Sequence, residues 1–433
     1  MKNSLRLYFV ASVFMLTLAR FPSALHAQYV YVNDNNFATT NTNTVYGFEY
    51  SSGSMISIVG EPALGWPTSG TSVLHADALK DQAVYSNSAV TCLYVAEPLP
   101  STGHANGDIA AFSVSPSSGV LTYVGSYGTP ASFHTYWGIA LTTRLSPATL
   151  YAGYSYIGGN HIASWGINPK SCTLTLQHQL AVTPLNGGYI GGMAEAHNGQ
   201  TLVVAYVDGS IQSFFTPPTG PMVATCATAI NSTGFITQAS MPSGVDITKD
   251  SLYAIFGDVS GPYPHGPTEL EVVKLPIACT GVTVDFGGAA VASGTSLGSY
   301  IDSENVWLSP NQHFIYVTNN GPISPQGFTT VKYTEPYALS LASGCTTGYT
   351  NPTTMASLNT GFFEPSGIQT RATTGNGTQV YVADYEANAP PSGVALLNVD
   401  VAGCTQEQPG SPFTDPNGAG GASQISAVPP RPF

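Results

Sequence analysis

Short runs of β-branched and aromatic residues recur seven times, and each breaks into a polar loop: YVYVND, CLYVAE, TLYAGY, TLVVAY, SLYAIF, IYVTNN and VYVADY. Aligned on the second apolar residue, they bring Tyr31, Tyr94, Tyr151, Val203, Tyr253, Tyr316 and Tyr381 into register. The 350 residues from Tyr31 to Tyr381 hold six intervals, about 58 residues each. A unit of that size cannot bury both faces of its own small sheet, so the copies must pack on one another. Seven four-stranded blades around an axis satisfy that demand, and the fold expected is an all-β, seven-bladed β-propeller.

The residues before the first run belong to a different kind of segment. Lys2 and Arg6 precede an apolar stretch from Leu7 to Ala19, and small residues follow at Ala24 to Ala27. This is the pattern of a secretory signal peptide, too short to span a bilayer. Residues 1–27 are therefore expected to be removed, with 28–433 forming one propeller domain of a secreted or periplasmic protein. The 406 residues of that domain divided by seven give 58, the repeat spacing again.

Composition agrees with strands and turns. The chain holds 46 Gly and 32 Pro, 11% aromatics with 24 Tyr, and only 8% charged residues, and no segment sustains a helical period. Acidic residues number 24 against 11 Lys and Arg. Nucleic acid is thereby excluded as a partner, as is an anionic membrane surface, and nothing demands an oligomer.

Six cysteines, at 92, 172, 226, 279, 345 and 404, lie in a chain bound for an oxidising compartment. Cys172, Cys279, Cys345 and Cys404 fall at what reads as one repeat position, the turn between the third and fourth strands. Equivalent points on neighbouring blades diverge, and a bridge needs Cα atoms within about 7 Å. The cysteines are accordingly expected to pack as small residues rather than to join blades.

Within each repeat the reading is an innermost strand A, the Tyr-Val strand B, then C, a tight turn, and D. In blade two, A is placed near Ser72 to Leu79, B at Thr91 to Ala96, C at Asp108 to Val114 and D at Gly119 to Gly125. Blade one lacks room for an A strand ahead of its B run at Gln28. The alternating segment Ala422 to Val428 is expected to fill that place and close the ring, leaving no open edge.

IYVTNNG at 315–321 and VYVAD at 380–384, with EPSGIQ at 364–369 and GSPF at 410–413, resemble the YVTN-repeat propellers, which belong with the lactonase-type seven-bladed propeller proteins. The resemblance implies the fold. It implies an activity less directly, because lactone hydrolases share that architecture with repeat proteins of other roles. Lactone-hydrolysing relatives are expected to place His, Arg and Glu around the channel. Past residue 27 the arginines are Arg144, Arg371 and Arg431; the first two follow A strands, away from the expected pocket face, which argues against a phosphorylated lactone.

In a propeller, B to C and D to A loops share one face. Asp34, Glu97, Asp208, Asp258, Asn319 and Asp384 follow B runs, whereas His75, His134, Glu304 and Glu364 precede or enter A strands. Such carboxylates suit the hydroxyls of a carbohydrate, a cationic ligand or Ca²⁺; they also serve as ordinary punctuation at strand ends. The function expected is a binding module for an extracytoplasmic carbohydrate, small-molecule or protein ligand, with no cofactor beyond possible Ca²⁺ use. The alternative is hydrolysis of a neutral lactone, with His134 or His75 as base and Glu304 or Glu364 nearby. GTSLG at 294–298 matches a nucleophile-elbow string but lacks the strand-to-helix setting that the elbow needs.

Overall fold

The computed structural model describes residues 28–34, 44–51, 54–62, 66–67, 81–97, 108–128, 139–156, 159–185, 187–226, 229–231, 244–258, 269–277, 289–290, 303–319, 327–334, 338–351, 353–354, 364–372, 378–385, 393–414 and 422–428. They form seven antiparallel sheets and no helix. The expected seven-bladed propeller is what the chain adopts. Residues 1–27 lie outside the described residues, and among those described no helix is long and apolar enough to cross a membrane.

Blade two shows the unit: Asp81–Ser86 innermost, then Thr91–Glu97, Asp108–Val114 and Leu121–Gly128 outermost. Blade three repeats it with Ile139–Arg144, Thr149–Tyr156, Gly159–Ile167 and Leu174–Val182. The blade-two A strand is thus not at Ser72 to Leu79, which lies outside the described residues. DQAVYS forms it instead, because alternate residues Ala83 and Tyr85 face a core while Asp81 and Gln82 bond neighbouring main chain.

Why the B runs are continuously apolar follows from the burial. Tyr31 packs towards blade two, whereas Val30 and Val32 pack towards blade seven. Tyr94 packs towards blade three, and Leu93 and Val95 face back to blade one. A strand with a different blade on each face has no solvent side to keep polar. Seven apolar clusters lie between successive blades, so the core is a ring of interfaces rather than a single centre. Each fully buried Tyr or Leu in such an interface contributes roughly 1.5–3 kcal/mol.

The recurrent tyrosine also fastens blades through its hydroxyl. Tyr31 Oη donates to Gly119 O at 2.5 Å, and Tyr94 Oη donates to Cys172 O at 3.1 Å, both in the C to D turn of the next blade. Gly119 and Cys172 have φ of 70° and 61°. At Gly119 a Cβ would stand 2.3 Å from the Tyr29 ring, so the turn there needs glycine for space as well as for backbone.

Ring closure follows the expectation. Ala422–Val428 pairs antiparallel with Gln28–Asp34, from Tyr29↔Val428 to Asp34↔Ala422, and supplies the innermost strand of blade one. Gln82 Nε2 adds a tie from blade two to Gln424 O at 2.6 Å.

The cysteines overturn the expectation. Cys92–Cys172 joins blade two to blade three, with Cα atoms 5.5 Å apart, and Cys345–Cys404 joins blade six to blade seven at 5.4 Å. Cys226 is disulfide-bonded as well. The paired positions are not equivalent, which is why the divergence argument fails. Cys172 and Cys404 occupy C to D turns, but Cys92 is on a B strand. Cys345 lies past that turn, between Ala338–Leu341 and Thr353–Thr354, the two pieces of a broken outer strand. The excursion between those pieces reaches blade seven, where Thr350 and Thr405 exchange main-chain hydrogen bonds of 2.9 and 2.8 Å.

Candidate functional site

Innermost strands of all seven blades line a central cavity of about 300 Å³. Two glycines set how closely the strands approach. A Cβ on Gly244 would stand 2.5 Å from Val306 N, and one on Gly367 would stand 2.8 Å from Ile425 N. Blades five and seven therefore bring their innermost strands against the backbone of the next one.

The polar groups of this wall are arranged as clamps between blades. Asp81 accepts N–H bonds from Gln82 at 2.7 Å and, in the next blade, from Leu141 at 2.6 Å. Asp246 repeats this with Ile247 at 2.8 Å and Leu308 at 2.7 Å. Burial pushes the Asp81 carboxyl up to about 7 against the opposing pull of those two N–H groups. Trp307 Nε1 donates to Thr370 Oγ1 at 3.1 Å, which fixes the indole at the blade six to seven junction.

Glu195, last in the blade-four innermost strand, is the wall's second strongly perturbed acid. Its Oε1 accepts from Thr216 Oγ1 at 2.9 Å and lies 3.9 Å from Arg144 Nη1. Burial still dominates and raises the carboxyl to about 7. Glu195 Oε2 and Gln82 Oε1 are buried acceptors with no hydrogen-bond partner among the described residues. The cavity lining includes Asp81, Glu195, Asp246 and His197, together with Asn305, Gln369 and Trp307, and among the described residues it contains no Lys or Arg.

Of the residues singled out from sequence, the structure describes mainly the backbone positions. Asp34, Glu97, Asp258 and Asn319 end B strands, Asp384 is next to last in another, and Glu304 and Glu364 are second and first in A strands. The backbone therefore puts them at one end of the blades. Their side chains, and His75 and His134 entirely, lie outside the described residues, as does GTSLG. Asp208 is described: its Oδ1 accepts from Ser210 N at 2.9 Å and Ser210 Oγ at 2.5 Å, and its Oδ2 from Gly188 N at 3.2 Å. Both oxygens hold the loops beside blade four's B to C turn. Among the described residues no group of three or more His, Cys, Asp or Glu could hold a metal ion.

Sequence reasoning passed over Asp81, Gln82, Glu195 and Trp307. One signal was available: each is a polar or aromatic residue inside an innermost strand, where only the channel or a neighbouring strand can receive it.

No protein-family profile matches the chain. No curated protein matches it in sequence either. Solved structures do resemble it. The periplasmic gluconolactonase of Pseudomonas aeruginosa has a TM-score of 0.63 at 14% identity, over 94% of this chain and 100% of that one. A Lactobacillus plantarum protein gives 0.60 at 14% identity, over 93% and 99%. A candidate 6-phosphogluconolactonase of Bacteroides fragilis gives 0.60 at 13%, over 94% and 99%. At such identities the likeness speaks for architecture alone: the chain has the seven-bladed β-propeller fold found in lactonase-type proteins.

Proposed function

We propose that the protein works outside the cytoplasm and that its central channel binds a small, uncharged, hydroxyl-rich ring, a sugar or a sugar lactone. The observation that carries this reading is the cavity itself: about 300 Å³, walled by Asn, Gln, carboxyl and indole groups, without a Lys or Arg among the described residues. Hydroxyls donate to amide and carboxylate oxygens, and an indole face suits the apolar side of a sugar ring. A phosphorylated sugar would lack a cationic partner on the described wall. The interblade disulfides and the signal pattern of residues 1–27 support the compartment.

Ring opening of a neutral lactone is the second reading, favoured by the full-length likeness to a periplasmic gluconolactonase. In that reaction water oxygen bonds to the lactone carbonyl carbon, a base takes the water proton, and the ring oxygen leaves and is protonated. A base titrating near neutrality is the efficient choice. Glu195 has that range on the described wall, while His134 and His75 remain the imidazole candidates.

The test is calorimetric titration of the protein with glucose and with gluconolactone, alongside a pH-stat assay of lactone opening, for the wild type and Trp307→Ala. The binding reading expects saturable heat that the substitution weakens roughly tenfold, about 1.4 kcal/mol. Acid release above the uncatalysed rate selects the second reading. Absence of both heat and turnover would reject the channel as a site for either ligand.

A further inference from the structure

A second cavity, of about 340 Å³, opens between the outer strands of blade three and the C to D turn of blade four. At its wall stands Arg144, the last residue of the blade-three innermost strand and only 6% exposed. Its guanidinium is held at four points: Nε donates to Pro147 O at 3.3 Å, Nη1 to Gly199 O and Thr216 O, each at 3.0 Å, and Nη2 to Thr149 Oγ1 at 3.3 Å. A guanidinium has five N–H donors, so one Nη2 hydrogen is left without an acceptor among the described residues. The Tyr151 ring, 5.6 Å from Cζ, further fixes the group.

The charge around it is unusual for this chain. Acidic residues outnumber Lys and Arg by 24 to 11, yet among the described residues no Asp or Glu lines this cleft. Glu195, beyond the wall, is the nearby acid, and burial raises its carboxyl to about 7. Its Oε1 lies 3.9 Å from Arg144 Nη1, and Thr216 Oγ1 donates to the same oxygen. A buried cation with a spare donor at the wall of an open cleft is a site for an anion.

The remaining lining narrows the class. Met222, Pro217 and Pro218 give apolar surface, while Gln177 and His178 stand on the blade-three side. One free N–H beside apolar walls suits a planar monoanion with a short hydrocarbon body better than a phosphate, which asks for several donors. We propose that this cleft is a ligand site separate from the channel, taking a small organic monocarboxylate, its carboxylate on Arg144 and its body against Met222 and the prolines.

The experiment is calorimetric titration of the protein with butyrate, benzoate and inorganic phosphate at constant ionic strength. Arg144→Gln removes the donor, but it also breaks four structural bonds. Two rim substitutions at exposed positions, Gln177→Trp and Thr219→Trp, therefore test the site without disturbing the guanidinium. The expected result is saturable carboxylate binding that either tryptophan weakens roughly tenfold or more, with thermal midpoints of the free proteins unchanged. Three outcomes would overturn the proposal: no saturable carboxylate binding, binding that survives both tryptophans, or phosphate binding tighter than either carboxylate. Because these probes are anions, the result is independent of whether neutral sugars bind the channel.

Discussion

Removing the strand that closes the ring is the severest test of the architecture. Truncation after Gly421 deletes Ala422–Val428, which makes six register pairs with blade one's B strand. At about 1 kcal/mol for each ladder hydrogen bond, the backbone share is roughly 6 kcal/mol. Ile425 and Val428 are 3% and 6% exposed, and burying them contributes roughly 2 kcal/mol each. The loss of about 10 kcal/mol is comparable with the entire stability of an ordinary domain, about 5–15 kcal/mol. It also strips cover from the Gln82 tie and from the cluster between blades seven and one. Near-UV circular dichroism and scanning calorimetry should find no cooperative transition in the truncated protein at a temperature where the full chain is folded. A transition within a few degrees of the full chain's would mean that the six other interfaces hold the ring without it, and that the closure argument is wrong.

Two further outcomes follow from the interblade ties. Replacing both Cys345 and Cys404 by Ser opens a bridge that spans 59 residues, and the chain-entropy estimate puts the loss at about 4 kcal/mol; a denaturant midpoint shift worth less than about 1 kcal/mol would refute that account. Glu195 has a folded-state carboxyl raised to about 7 from an ordinary 4.5, so the folded protein holds the proton more tightly than the unfolded chain. Its contribution is complete below about pH 4.5 and is lost as pH climbs towards 7. Thermal midpoints of the wild type should fall between pH 5 and pH 8, and Glu195→Gln should flatten that fall; an unchanged slope would mean that the carboxyl does not titrate there.

The fold could be read from the chain because its B strands are buried on both sides, which prints one apolar run per blade. Ring closure was legible for a related reason: blade one had a B run at Gln28 with nothing ahead of it. The blade-two innermost strand was harder. DQAVYS begins with two polar residues whose partners are the main chain of Leu141 and Gln424, and those partners stand 60 and 342 residues away. Glu195 and Arg144 escaped as site residues for a similar cause, since both acquire their roles from Thr216, 21 residues on in Glu195's own blade and 72 residues on in the blade next to Arg144. The disulfides were not legible because the repeat pattern places Cys345 in a turn, and the break that moves it past that turn is a property of the outer strand's pairing. At the expected mouth the residues Asp34, Glu97, Asp258, Asn319 and Asp384 were found at one end of the blades through strand direction alone.

Many of the ties between blades run from one blade to the next along the chain: Tyr31 to Gly119, Tyr94 to Cys172, Leu141 to Asp81 and Leu308 to Asp246. For a polypeptide made from its amino end, this has a bearing on timing. Each newly made blade would lack the turn or amide that completes its fastenings until the following blade has been synthesised, so assembly would trail synthesis by one repeat. Blade one would wait longest of all, holding an uncapped sheet edge until residues 422–428 arrive. A chaperone that shields extended edges would be needed most at that first blade.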